Sequence, residues 1–381
     1  MPATARTVYL NNAATAWPLA PGVVEAVTEA LDELPLEFGR SSGPATSILQ
    51  ECRASLAGLM QVERPERIAL VSGATQALNQ AVLGLDLKAG ERVITSVTEH
   101  NSVLRPLNHL RRNRGIDTAV VGLDASGQLD VAAFEKELAA GARLVVLNHI
   151  SNVTGQVNPV ADLFRCAKAA GAITLLDASQ SLGCIPVLPL QLQADLVVFT
   201  GHKALRGPSG TGGLYVRPGI ELEQVLVGGT GVHSDLPHHP SQMPMRLEAG
   251  TPGLSAFAGL AAALRWVQRQ GEAFRRQQQR LCERLAQGLR EISKVRLFGA
   301  ADPNQSQGPL SFQIEGWAVQ EAGEALSQGF GIIGRTGLHC APLIHAALGS
   351  APEGTIRFAP SGFNTETEID WTLNAVHKLA A

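Results

Sequence analysis

Between residues 68 and 216 the chain alternates short apolar runs with amphipathic or Ala-rich stretches. The runs at 68–72, 92–97, 118–122, 144–148, 173–176, 196–199 and 213–216 have the length and β-branched content of buried strands. Stretches 75–85, 102–114, 131–140 and 160–170 separate most of them and carry apolar residues at helical spacing. Strand–helix alternation of this kind predicts an α/β fold, a mainly parallel seven-stranded sheet with helices on both faces.

From about Thr251 the pattern changes. The Ala- and Gly-rich stretch 253–264 reads as a buried helix, and 257–292 as a long helical region rich in Arg, Gln and Leu. Mixed segments at 310–314 and 355–359 follow. A smaller α+β domain is expected here, joined by the N-terminal segment. Residues 16–255 then form a large domain, and 1–15 with 256–381 a small one. Residues 306–309 read as a loop.

At 381 residues the chain exceeds the usual single core, which agrees with two domains. A net charge of -3 and the lack of a long basic stretch, Arg111, Arg112 and Arg114 forming only a short cluster, give nucleic-acid binding no electrostatic support. That cluster reads as a solvated helix end. No apolar run is long enough to span a bilayer, and MPATARTVYLNNAAT lacks the apolar region of a secretory signal. Five cysteines without a C-x-x-C pair argue against a disulfide framework and a zinc site. A reducing cytoplasm and no metal are expected.

The polar motifs SGAT, TEHNS, NHISN, DASQS and TGHK follow the apolar runs. Ligands of parallel sheets sit at these carboxyl ends. Together the motifs offer the groups that hold pyridoxal phosphate (PLP). Lys203 is the candidate aldehyde-binding amine, because a desolvated or cationic setting activates lysine. Alone, it would read as a solvated loop residue. Asp177 could pair with the ring nitrogen, or be an N-cap or Asx-turn residue. Gln180 can reach the O3′ region. His100 could stack on the ring, or simply begin a helix near Asn101 and Ser102. Gly73, Ala74 and Thr75 open a helix whose free N–H groups suit a phosphate, with Thr200 and His202 as further donors.

Two residues concern a substrate. Arg357 is a candidate clamp for an α-carboxylate, with a surface ion pair as its ordinary alternative. Cys340, in GRTGLHCAPLIH, has His339 and Arg335 nearby, and a positive, partly exposed setting favours thiolate. For a lone cysteine a structural role is the ordinary reading.

From YLNNAAT through SGATQALN, EHNSVLRP, NHISNVTGQVNP, DASQSLGCIP, FTGHKALRGPSGTGGLYV, EAGTP, RTGLHCAP and IRFAPSGFNTETEID, the chain resembles class V aminotransferase-fold cysteine desulfurases. Within them it looks most similar to the SUF-type/selenocysteine-lyase-like branch, over nearly its whole length. The resemblance implies a fold-type I PLP-dependent transferase, a homodimer with active sites at the subunit interface. L-cysteine would become L-alanine, its sulfur held as a persulfide on Cys340 for an acceptor protein. Lys203 would carry the cofactor as a Schiff base, and His100 would complete the catalytic set. Asn152 would lie beside cofactor and substrate, Arg335 and Arg357 would bind substrate, and Thr251 would reach the phosphate across the interface. Two rival activities fit the same scaffold: a selenocysteine lyase acting on L-selenocysteine, and an aminotransferase or epimerase, which needs no nucleophilic cysteine. Gln76 in place of a frequent Glu, DASQ in place of DAAQ or DGAQ, and Gly253 in place of a frequent Asn imply an outlying subgroup.

Overall fold

A computed structural model describes residues 7–32, 44–299 and 307–381. In chain order, β1 (Val8–Tyr9), α1 (Val23–Asp32) and α2 (Pro44–Met60) precede the central sheet. Its strands are β2 (Ile68–Val71), β3 (Arg92–Ser96), β4 (Asp117–Val121), β5 (Leu144–Asn148), β6 (Ile173–Asp177), β7 (Leu196–Thr200) and β8 (Gly212–Val216). Helices α3 (Ala74–Leu83), α4 (Asn101–Arg114), α5 (Val131–Ala139) and α6 (Val160–Ala169) connect the first five of these strands.

The seven strands lie in the order β2-β8-β7-β6-β5-β3-β4. All ladders from β4 to β7 are parallel, while β8 runs antiparallel to both β7 and β2. This is the mainly parallel α/β sheet expected from the alternation of apolar runs. β5 to β8 are buried at every position, which is why they read as continuous apolar runs rather than alternating ones. One face packs on α2, α5 and α6, with Leu56, Phe134, Phe164 and Phe199 in its core; the other packs on α3 and α4 through Leu78, Val82, Val103 and Leu107.

Strand ends fall within one residue of those expected, and the difference matters. β6 and β7 continue through Asp177 and Thr200, because Asp177 is paired with Asn148 and Val198, and Thr200 with Gly212. Both side chains are therefore anchored on rigid strand ends rather than on the loops that follow.

The rest of the described chain comprises α7 (Leu254–Glu291), β9 (Val295–Phe298), β10 (Leu310–Ile314), α8 (Val319–Phe330), β11 (Ile332–Ile333), β12 (Arg335–Gly337), α9 (Pro342–Ala347), β13 (Thr355–Phe358) and α10 (Glu366–Ala380). An antiparallel sheet, β12-β13-β10-β9, and the short parallel pair β1-β11 surround a second core that includes Val8, Leu10, Phe312 and Phe358. α10 starts at a capping box: Thr365 accepts the Glu368 N–H, and the Glu368 carboxylate accepts that of Thr365.

α7 is one helix of 38 residues, so the stretches 253–264 and 257–292 are a single element. It crosses the boundary expected at 255/256. Phe257, Leu260 and Leu264 pack under the large sheet, whereas Leu281, Leu285 and Leu289 belong to the second core. Among the described residues no helix is long and apolar enough to cross a membrane, and no group of three or more His, Cys, Asp or Glu could hold a metal ion.

Candidate active site

The carboxyl ends of the parallel strands open on a cavity of about 490 Å³. Ala74, Thr75, His100, Asn152, Asp177, Gln180, Thr200, His202, Lys203, Arg335 and Arg357 all line it. Thr251 does not. It is exposed beside a neighbouring cavity of about 590 Å³ that shares Ser72, Gln76 and Gly210 with the first. Cys340 stands behind Arg335, whose Nη2 lies 3.4 Å from its Sγ.

At one end of the cavity α3 begins. Gly73 caps it at φ 148, a conformation open to glycine, and a Cβ on the adjacent Gly212 would sit 2.7 Å from the Gly73 Cα. The helix start can therefore press close to the sheet with its N–H groups free for an anion. The Thr75 hydroxyl lies 2.9 Å from that of Ser102. Thr200 donates to the Thr211 carbonyl at 3.3 Å, and His202 Nδ1 pairs with the Thr15 hydroxyl at 3.2 Å.

In the middle stand the charged groups. The Lys203 amine has no hydrogen-bond partner among the described residues. Burial pulls its pKa down to about 8; Arg357 and Arg335 add to this, and Asp177 opposes it. Asp177 closes the Asx turn weighed above: Oδ1 accepts the Ser179 N–H at 2.9 Å and the Ser179 hydroxyl. Its Oδ2 has no partner among the described residues, so the turn leaves one carboxylate oxygen for a ligand. Gln180 is oriented by donating to the Ala13 carbonyl at 3.0 Å.

His100 begins a helix and also faces the cavity. It is the N-cap of α4, its Nδ1 accepting the Ser102 N–H at 3.0 Å, and it lines the cavity. Burial, with Lys203 adding to it, lowers its pKa to about 4, so the ring is neutral at neutral pH. Beneath it Glu99 is fully buried. Oε1 accepts the Asn148 N–H at 3.0 Å and the Ser96 hydroxyl at 2.7 Å, while Oε2 has no partner. Burial raises its pKa to about 8.

At the other end Arg357 is 1% exposed with no carboxylate partner among the described residues. Nη1 donates to the Asn152 carbonyl at 2.8 Å, Nη2 reaches Asn11 Oδ1 at 3.4 Å, and Nε is buried unpaired. Asn152 in turn donates to the His339 carbonyl at 2.8 Å, leaving its own Oδ1 unpaired. The four residues between β12 and α9 carry Cys340. They are tied down where Asn101 N–H donates to the Cys340 carbonyl at 2.7 Å. His339 and Cys340 both have left-handed φ, 50 and 61. His339 does not supply positive charge to the sulfur. It is buried with Nε2 3.0 Å from the Thr355 hydroxyl, and burial holds its pKa far below the ordinary range. Arg335 rather than His339 supplies it, with Arg357 also close enough to act on the sulfur.

Sequence reasoning missed Ser102, Asn148 and Ser179, which line the cavity, and Arg206, which supports it. Arg206 donates twice to the Pro18 carbonyl, at 2.7 and 3.2 Å, and its guanidinium lies 5.1 and 4.9 Å from the rings of Phe274 and Phe363. Its N–H also closes the turn from the Lys203 carbonyl at 2.8 Å. Only tertiary structure brings those rings together. For Ser102 there was a signal: a serine two residues after a helix-capping histidine.

An unpaired amine, a spare carboxylate oxygen, free helix N–H groups and an unpaired buried guanidinium nitrogen form a donor set that fits PLP with an amino-acid substrate.

The aminotransferase class-V family model matches residues 8–371. A probable cysteine desulfurase of Pyrococcus abyssi is 31% identical, over 100% of this chain and 96% of that protein. The apo structure of cysteine desulfurase from Thermococcus onnurineus NA1 superposes with a TM-score of 0.91 at 32% identity, covering 98% of this chain and 94% of that one. A lysine-to-alanine mutant of C-DES, with glycine covalently linked to its PLP cofactor, has a TM-score of 0.84 at 25% identity and covers 98% and 97%.

Proposed function

The chain belongs to the class-V aminotransferase family, among the cysteine desulfurases, and from this we propose that it converts L-cysteine to L-alanine with PLP, passing the sulfur to Cys340 as a persulfide. The observation that carries the reading is one cavity in which the unpaired Lys203 amine, the spare Asp177 oxygen and the Arg357 guanidinium converge, with Cys340 joined to it by Arg335.

Lys203 would hold the cofactor covalently, Asp177 its ring nitrogen, Gln180 its O3′, and His100 its ring face. Ala74, Thr75, Thr200 and His202 would take the phosphate. Thr251 would add a donor from a second copy of the chain, a reading supported by its exposure outside its own cavity. Bound there, PLP supplies an electron sink for negative charge formed at the substrate α-carbon.

The protein's own groups supply the rest. Arg357, with Arg335 beside it, donates to the substrate α-carboxylate, and Asn152 has Oδ1 left for the substrate. Lys203 Nζ would take the α-proton, and a pKa near 8 suits it to both donate and accept near neutral pH. Cys340 Sγ then attacks the substrate sulfur. An S–S bond forms as the Cβ–S bond breaks, and the bonding pair stays on carbon, which becomes the methyl group of alanine after protonation. The persulfide remains for an acceptor protein. Selenocysteine would fit the same groups.

The test is to supply L-cysteine and L-selenocysteine side by side, measuring alanine and the mass added to the Cys340 peptide. Alanine with one sulfur on that peptide is expected from cysteine. Keto acid in place of alanine would mean transamination and overturn the reading.

A further inference from the structure

Ser102 stands between the start of α3 and the ring of His100. Its N–H donates to His100 Nδ1 at 3.0 Å, and its Oγ lies 3.0 Å from the same nitrogen and 2.9 Å from Thr75 Oγ1. A backbone N–H can only donate. Nδ1 is therefore an acceptor, and the single proton of the neutral ring sits on Nε2.

The Ser102 hydroxyl has one proton and two neighbours. When it points to His100, the Thr75 hydroxyl donates to Ser102 and turns lone pairs to the cavity. An anionic phosphate oxygen at the start of α3 accepts hydrogen bonds, so it reverses this order. Thr75 O–H then donates outward, Ser102 O–H turns to Thr75, and His100 Nδ1 keeps only the backbone N–H.

We propose that Ser102 is a positioning residue that fixes His100 as its Nε2–H tautomer and relays the occupancy of the phosphate cup to Nδ1. This rests on the PLP reading of the cavity. With the cup filled, His100 Nδ1 accepts from the Ser102 backbone N–H alone, so the ring keeps its proton on Nε2 while its Nδ1 environment changes.

The experiment uses holoenzyme labelled with ¹⁵N-histidine, the His100 signals being those lost in His100→Gln. Wild type should show Nε2 protonated and Nδ1 bare. Thr75→Val, a position with no hydrogen bond to His100, should shift the Nδ1 resonance. It should fail to do so in a Ser102→Ala background and do so again with Ser102→Thr, which keeps the hydroxyl. A protonated Nδ1, or an equal shift with and without the hydroxyl at 102, overturns the relay while the ³¹P signal of bound cofactor stands. Absence of a bound ³¹P signal overturns the cofactor reading itself, and the relay with it.

Discussion

Arg335 Nη2 approaches Cys340 Sγ to 3.4 Å, whereas the adjacent His339 turns its Nε2 to Thr355. One guanidinium thus faces the sulfur that the proposed chemistry uses. Replacing it by an uncharged chain of similar reach, Arg335→Met, should slow alkylation of Cys340 by iodoacetamide at neutral pH. His339→Gln should leave that rate nearly unchanged. The reverse ranking would show that the histidine, not the arginine, governs the thiol.

Cys340→Ala removes the proposed sulfur acceptor and leaves every residue of the cavity lining in place. Alanine formation from cysteine should fall by about a hundredfold or more, close to 3 kcal/mol in the barrier, and no persulfide should form. Turnover of selenocysteine should fall less, because selenolate is the better leaving group. Burial pushes the thiols of Cys52 and Cys184 up to about 12 and about 11, and raises Cys282 as well, so none of them is a ready substitute. Mass spectrometry of cysteine-treated wild type locates the added sulfur. Finding it on one of these three, or on Cys166, would refute the assignment.

Asp177→Asn keeps the Asx turn to Ser179 but cannot carry a charge. PLP should remain bound, visible by absorption, while turnover drops by about 2–4 kcal/mol in the barrier. Near-normal turnover would reduce Asp177 to a turn residue.

Glu99 makes a prediction about stability. Its folded pKa, about 8 against an ordinary 4.5, means that the folded protein holds a proton the unfolded chain has lost between those values. Stability from this group is therefore full below about pH 4.5 and declines as pH rises towards 8. The buried histidines His100, His149 and His202, lowered to about 4, act oppositely, but only below their unfolded value of 6.5. Lys203, lowered to about 8, also acts oppositely as pH approaches 8, so Glu99 is read from the difference between wild type and Glu99→Gln between pH 6.5 and 8. Over that range, urea unfolding of wild type should lose on the order of 2 kcal/mol relative to Glu99→Gln. Parallel stability curves for the two proteins would show that the carboxyl is already ionised at neutral pH.

Much of this was readable because buried parallel strands write themselves as unbroken apolar runs. A polar residue closing such a run, Asp177 after ITLL or Thr200 after LVVF, must then sit at the sheet edge. Lys203 and His100 follow such runs by a few residues and line the cavity by the same rule. What could not be read is proximity between distant segments. Nothing in the sequence near Arg206 announces Phe274 and Phe363, and nothing near Cys340 says that Asn101 will hold its carbonyl. The extension of β6 and β7 by one residue was equally hidden, because a ladder's last rung depends on the neighbouring strand.

The unbroken course of α7 has a mechanical consequence. A straight helix of 38 residues is about 57 Å long, and its two halves are bolted into different cores. Neither core can twist against the other without bending that rod or shearing side chains from it. Arg206 lies at the rod's midpoint, its guanidinium against Phe274 of α7 and its backbone in the turn from Lys203. A load on the antiparallel sheet β12-β13-β10-β9 would thus be carried along α7 towards the lysine turn.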